Sequence, residues 1–349
     1  MKVFVPHKKD RNVYFDEIIS NSNCNFIFGN LKEYNTKYDI VNIQFPESIF
    51  DWILPNEHQL KDFEKVLVLW KQHSKVVLTL NDYESHYDKK NEFIGLFKLI
   101  QEYVDGVIHL GNYSLEKYKH LFSTHCKHTV IYHPLYESLI YDCKTADFQG
   151  RFQLNFQDKY VVAVIGCIRS IEEVKLIFKI FKKIPVKNKL LIIPNMFQFV
   201  NMPTFFPYRF RKTYNKVAEK IFCYPLHKSQ YFFGYKFLDY SYMVDLVKKS
   251  SLMIIPRIKN LNSGNLFLGL TFDKPMIIPK IGNLTEVADY FNFPVLDIEE
   301  KNYDELFSRL LDLKKKKYFN SKIYFEKKKK FNANVIAHEY DVFFKVVNN

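Results

Sequence analysis

Short apolar runs closed by proline, glycine and polar residues alternate along this chain with longer stretches of helical period. Residues 2–5, 40–45, 76–80, 107–110 and 129–132 are such runs and read as strands. Between them, residues 59–70 place Leu60, Phe63, Leu67 and Trp70 on one helical face, and 92–103 behave alike. Ser114 stands where an N-cap would open a helix over 115–122. This alternation predicts a parallel sheet covered by helices. Residues 145–158 are polar, lack a period and read as a linker. A second series follows, with strands at 160–165, 190–193, 252–256 and 275–279 and helices at 171–184 and 239–248. In the first of those helices Val174, Ile177, Phe178 and Phe181 share the inward side. The expected division is 1–147, 148–333 and a last helical segment, 334–349.

Residues 251–287 carry the densest chemistry. After the strand at 252–256 come Asn262, Ser263, Gly264 and Asn265, then an apolar run. A glycine-containing turn that opens a helix leaves bare N–H groups at the positive end of the helix dipole, a site for an anion such as phosphate. After the strand at 275–279, Gly282 and Asn283 open another helix with Glu286 in its first turn. Two such units side by side put both loops at the carboxyl edge of one parallel sheet, where open α/β folds bind ligands. The plainer alternative is two ordinary βα units with no ligand. The first strand has no G-x-G-x-x-G turn, so a dinucleotide is not expected there.

Composition adjusts this picture in a few places. The chain has 349 residues, enough for two domains, and is 47% hydrophobic, enough for sizeable cores. It holds 34 Phe and 24 Tyr but only 10 Gly, a bias that follows from AT-rich coding and weakens any argument from an aromatic stripe. Residues 197–211, where Phe199, Phe205, Phe206, Tyr208 and Phe210 mix with Arg209 and Arg211, are therefore read as core plus loop before membrane patch. The net charge of +13 favours a phosphorylated ligand, an anionic membrane surface or nucleic acid. No nucleic-acid module accompanies it, so no nucleic-acid partner is expected. The lysine runs 314–317 and 327–330 read first as solvated helix faces. Five cysteines without a C-x-x-C pair indicate neither a disulfide framework nor a zinc site, which fits a reducing, cytoplasmic setting. No D-x-D motif stands in a suitable loop, so no metal is expected, nor any cofactor beyond a co-substrate.

In order and spacing these motifs resemble GT-B glycosyltransferases of the bacterial family-4-like group, which take sugars from nucleotide diphosphate sugars. That group has a run strand–Pro–Asn-Ser-Gly–helix–Lys-Pro–strand–Pro–Gly-Asn–Glu. Asn262, Ser263, Gly264, Lys274, Pro275, Pro279, Gly282, Asn283 and Glu286 fall on it. Pro46-Glu47, Asp82 with His86, His133-Pro134 and the turn Gly166-Cys167-Ile168-Arg169 are similar to its other motifs. Phe232-Phe233-Gly234-Tyr235 resembles the loop that packs on the nucleotide base, or is simply a strand end. Two departures stand out. Asn260 and Leu268 occupy the places of two glutamates, the second of which binds the donor ribose. Glu172 and Glu173 replace a Lys-Gly pair, so Arg257 or Lys259 becomes the substitute phosphate cation.

The resemblance implies two Rossmann-like α/β domains facing across a cleft, with the last helix returning to the first domain. It implies donor binding by Gly166, Arg169, Tyr235, Arg257, Asn262, Ser263, Gly264, Asn265 and Glu286. Asp82, His86 and Glu47 follow first-half strands, so they belong at the carboxyl edge, where a general base must lie within reach of the acceptor hydroxyl. Asp82 is the first choice, although it could merely cap the next segment while His86 lies on the surface. The expected activity is transfer from a nucleotide diphosphate sugar to a glycan or lipid-linked glycan acceptor in bacterial surface polysaccharide synthesis, on the inner face of the plasma membrane. The alternative is a non-catalytic GT-B-like partner protein that binds nucleotide or glycan.

Overall fold

The computed structural model describes residues 1–10, 12–83, 92–141, 146–196, 208–222, 228–259 and 261–349. Within them the strands form two six-stranded sheets, all of whose neighbouring strands run parallel. The first sheet contains β1 (Lys2–Val5), β2 (Asn25–Phe28), β3 (Ile40–Ile43), β4 (Lys75–Leu80), β5 (Gly106–His109) and β6 (Lys127–Val130) in the order β2-β1-β3-β4-β5-β6. The second contains β7 (Tyr160–Ala163), β8 (Lys189–Ile193), β9 (Tyr231–Phe233), β10 (Leu252–Ile254), β11 (Met276–Pro279) and β12 (Val295–Leu296) in the order β12-β11-β10-β7-β8-β9. The inner strands are largely apolar and buried on both faces, because helices cover each sheet twice. The first sheet has one core around Val3, Val5 and Ile108 and another around Phe63, Leu67 and Trp70.

Each sheet changes winding direction once. In the first the switch falls between β1 and β3, and in the second between β7 and β10. Side chains diverge from such a point at the carboxyl edge and leave a crevice. The loops after β7 and β10 hold Gly166 and Asn262–Asn265, so register alone brings the two phosphate-type motifs together. Val162 and Ala163 pair with Leu252 and Met253.

Sequence and structure differ in defined places. β2, β9 and β12 escaped the pattern because each is a sheet edge with one neighbour and a half-buried face. The strand expected over 40–45 stops at Ile43, and Pro46–Phe50 forms a 3-10 turn. The helix expected over 115–122 spans Asn112–Tyr118 instead. Ser114 is therefore inside its first turn, where its Oγ donates to the Gly111 carbonyl at 2.9 Å rather than capping. The presumed linker contains a helical turn, Phe148–Phe152, anchored by the fully buried Phe148. Helices Val13–Asn21 and Tyr208–Phe222 were not read from the sequence. The final helix, Ala333–Asn348, packs Ile336, Ala337, Tyr340 and Phe344 against Val3, Phe15, Ile18 and Ile40 of the first sheet's core.

Candidate functional site

β7 leads into Gly166, whose φ of +86° is a conformation that side-chain-bearing residues rarely adopt. A Cβ here would lie 2.9 Å from Asn265 Nδ2 and 3.6 Å from an Arg257 Nη, so the turn is closed down onto both. Asn265 Nδ2 donates to the Ile165 carbonyl at 2.6 Å, which ties the loop after β10 to the end of β7. Ser263 is the N-cap of the helix Gly264–Thr271 without a side-chain cap bond, and its own side chain is buried. The amides of Gly264 and Asn265 thus have no partner within the helix, whereas the Leu266 amide donates to the Ser263 carbonyl at 3.1 Å.

Arg257 is buried, and its Nη1 donates to Glu173 Oε1 at 3.0 Å and to the Cys167 carbonyl at 3.2 Å. Glu173 Oε2 accepts the Arg169 amide at 2.8 Å. Glu173 and Arg257 together therefore fix the turn 166–169 from below. Arg257, expected from the sequence as a substitute phosphate cation, has its charge offset by Glu173 at contact distance. Glu173, read from sequence as the loss of a cation, is the partner that lets Arg257 be buried. Tyr235 forms a bridge with Asn195, and its hydroxyl donates to the Glu219 carboxylate.

Tyr136 and His133, from the segment that leaves the first sheet, close the site from the other side. His133 is stacked on Phe267 with ring centroids 4.4 Å apart, and burial pulls its imidazole pKa down to about 3. It is neutral, and its Nδ1 lies 2.6 Å from the Pro134 carbonyl, which can only accept. The ring proton is therefore on Nδ1, and Nε2 is an acceptor. The Tyr136 hydroxyl, 3.2 Å from Nε2, must then donate its proton to His133. What Tyr136 keeps for any other group is lone pairs. Burial raises the pKa of the Tyr136 phenol, so it stays protonated.

Tyr136, Gly166 and Asn265 line a cavity of about 180 Å³ that Asn12, Val13 and Tyr14 close from the first half and Asn195, Tyr240 and Leu268 from the second. Among the described residues no acidic or basic side chain lines it. Leu268, at the position where relatives of the resembling group place a carboxylate, contributes an apolar wall.

The acceptor-side candidates lie elsewhere. Glu47 and Asp82 line a second hollow of about 10 Å³ with Gln44 and Asn81, room for one water. Gln44 Oε1 is buried there without a protein partner. Asp82 Oδ1 also accepts the Leu261 amide at 2.9 Å, a bond across the two halves. His86 and Asn260 lie outside the described residues.

More bonds cross the cleft nearby. Asn262 Nδ2 donates to the Asn81 carbonyl, and within the second half Asn262 Oδ1 accepts from Asn283 Nδ2 at 2.9 Å. Asn283 Oδ1 accepts the Ser114 amide at 3.0 Å. Glu286 accepts from the Asn112 amide at 2.7 Å, from Asn112 Nδ2 at 2.5 Å and from the Tyr132 hydroxyl. The sequence placed Asn262 and Glu286 on the donor; here both join the second half to the first. Asn112, Ser114 and Tyr132 escaped sequence reasoning because their partners are far away in the chain. Among the described residues no three His, Cys, Asp or Glu side chains stand together as a metal site.

Two facing parallel sheets, each with its crevice at the carboxyl edge, constitute the GT-B fold. No protein-family model matches the sequence, and no curated protein matches it either. Solved structures do resemble it. Anabaena HepE in complex with UDP superposes with a TM-score of 0.67 at 11% identity over 99% of both chains. Sucrose-phosphate synthase of Thermosynechococcus elongatus gives 0.61 at 14% identity over 90% of this chain and 75% of its own. S. aureus MnaA with UDP gives 0.56 at 11% identity over 97% and 94%. At such identities the likeness concerns the fold.

Proposed function

We propose that the protein transfers a sugar from a nucleotide diphosphate sugar to a glycan or lipid-linked glycan acceptor, within surface polysaccharide synthesis. The observation that carries this reading is the meeting of Gly166, Tyr136 and Asn265, in the first turn of the helix Gly264–Thr271, at one cavity that no charged side chain among the described residues lines. Amides and the helix dipole suit the diphosphate, and the Arg169 guanidinium follows the same turn. The Tyr136 oxygen, its proton held by His133, accepts from a ligand hydroxyl. UDP in the HepE and MnaA structures makes a uridine nucleotide the first donor to try. In the first half, Asp82 and Glu47 share the hollow in which a water or acceptor hydroxyl would be held, and Asp82 is the proposed base. The main cavity lies below the roughly 300 Å³ common for ligand pockets, so a whole nucleotide sugar requires the bonds between the halves to part.

A thermal-shift series with UDP, UDP-glucose and other nucleotide sugars, followed by a turnover assay, tests the proposal. A ligand at a hundred times its Kd adds about 2.7 kcal/mol of stability. Absence of any shift across the series would remove the donor reading. A shift without sugar release under any acceptor would leave a binding protein of the same fold.

A further inference from the structure

The helix Tyr208–Phe222 turns a mixed face to solvent. Tyr214, Val217 and Ile221 are 55%, 51% and 70% exposed, and their spacing of i, i+3 and i+7 stacks them in one stripe. Arg209, Lys216 and Lys220 are exposed beside it, in a second row at i, i+7 and i+11. The body holds the helix from its other side, where Glu219 accepts the Tyr235 hydroxyl. The helix sequence carries Arg209, Arg211, Lys212, Lys216 and Lys220 against the single carboxylate of Glu219.

We infer that this helix rests on an anionic lipid surface, with Tyr214, Val217 and Ile221 entering the headgroup–acyl boundary and Arg209, Lys216 and Lys220 meeting lipid phosphates and carboxylates. An apolar stripe flanked by long cationic side chains is the pattern of an interfacial helix. Lysine and arginine stems cover apolar surface while their charges reach the headgroups. Charge decides between the possible occupants. A second copy docking by a two-fold axis would set this basic row against itself, because such interfaces are self-complementary. A polyanion such as nucleic acid would satisfy the cations and leave Val217 and Ile221 in water. Only a surface that is anionic above and apolar below suits both rows. The inference is independent of the donor reading, since no nucleotide takes part in it. It places the contact near the cavity, because Tyr235 bridges Asn195, which lines it.

The test is co-sedimentation of the full chain with phosphatidylcholine vesicles, with and without phosphatidylserine, at low and raised salt. Wild type is expected to bind the anionic vesicles and to be released by salt. The pair Val217→Ser with Ile221→Ser and the pair Lys216→Gln with Lys220→Gln should each lower partitioning by about tenfold or more. All four positions are exposed, so an unchanged melting temperature accompanies that loss. Four outcomes overturn the inference. They are no vesicle binding by wild type, equal binding to both vesicle types, variants that bind as wild type does, and a concentration-dependent dimer abolished by the serine pair.

Discussion

Adding one methyl group at Gly264 should set Tyr136 against the helix that opens the candidate donor loop. A Cβ built at Gly264 falls well inside contact distance of the Tyr136 hydroxyl oxygen, whereas it lies 3.6 Å from Tyr136 Cζ and 3.5 Å from His133 Nε2. The clash is thus with a single atom. Tyr136 packs against the second half's core, and its amide donates to Thr271 Oγ1 at 2.9 Å, so the ring has little room to retreat. Overpacking of this kind costs about 1–3 kcal/mol. If the ring does retreat, the Tyr136–His133 hydrogen bond breaks and leaves the buried Nε2 without a donor, a loss of about 1–3 kcal/mol. Tyr136→Phe alone incurs only that second loss. In the double variant the new methyl meets ring carbon at ordinary van der Waals distance. Gly264→Ala in a Tyr136→Phe background should then be nearly neutral, against about 1–3 kcal/mol in wild type. Urea midpoints of the four proteins give the cycle, and a coupling of at least about 1 kcal/mol is expected for groups in contact. Strict additivity would refute the reasoning, because it would mean that the Tyr136 oxygen is not where the methyl goes.

Glu286→Ala removes the acceptor of three cross-cleft bonds, so hydrogen exchange at Asn112 should speed up and small-angle scattering should report a wider particle; an unchanged exchange rate would count against a closed resting state. Arg169→Ala should lower kcat/KM of the proposed transfer by about 2–4 kcal/mol of transition-state stabilisation, while an effect below a few-fold would assign that charge to another group. Asp82→Asn should lower kcat by orders of magnitude with donor affinity kept, and wild-type turnover would eliminate Asp82 as the base. His133 and His109 are both held neutral by burial, with pKa values lowered to about 3 from an unfolded value near 6.5. Their contribution to stability is complete above pH 6.5 and declines as pH falls from there towards 3, by roughly 1 kcal/mol per histidine per pH unit. The melting temperature should therefore drop more gently with acid in His109→Asn than in wild type, and parallel curves would refute the assignment.

How far this was legible in the sequence depends on which residues are asked about. Inner strands such as Val76–Val77 and Ile277–Ile278 were legible because burial on both faces leaves an unbroken apolar run. Gly166 and Gly264 were legible because only glycine tolerates the close approach each makes. The meaning of Asp82, Asn283 and Glu286 was not. Each carries the polar chemistry of a ligand contact, and only the topology reveals the bonds it also makes across the two halves, from the amides of Leu261, Ser114 and Asn112. Glu173 shows the same limit, since its partner Arg257 is 84 positions away. The helix Tyr208–Phe222 was missed for another reason. Its apolar positions, Tyr208, Phe210, Tyr214, Val217, Ala218, Ile221 and Phe222, are dispersed among Arg, Lys and Asn.

The packing of Ala333–Asn348 on the first sheet has a consequence for synthesis on the ribosome. That helix emerges roughly two hundred residues after β6, about 10–40 s later at ordinary rates of translation. Until then Val3, Ile40, Val77 and Ile108 present an apolar sheet face with part of its cover missing. The second half, whose core closes with Tyr324 and Phe331, has all its parts before the first half does. The half made first is thus finished last, and during the wait part of its apolar face has no cover from its own chain.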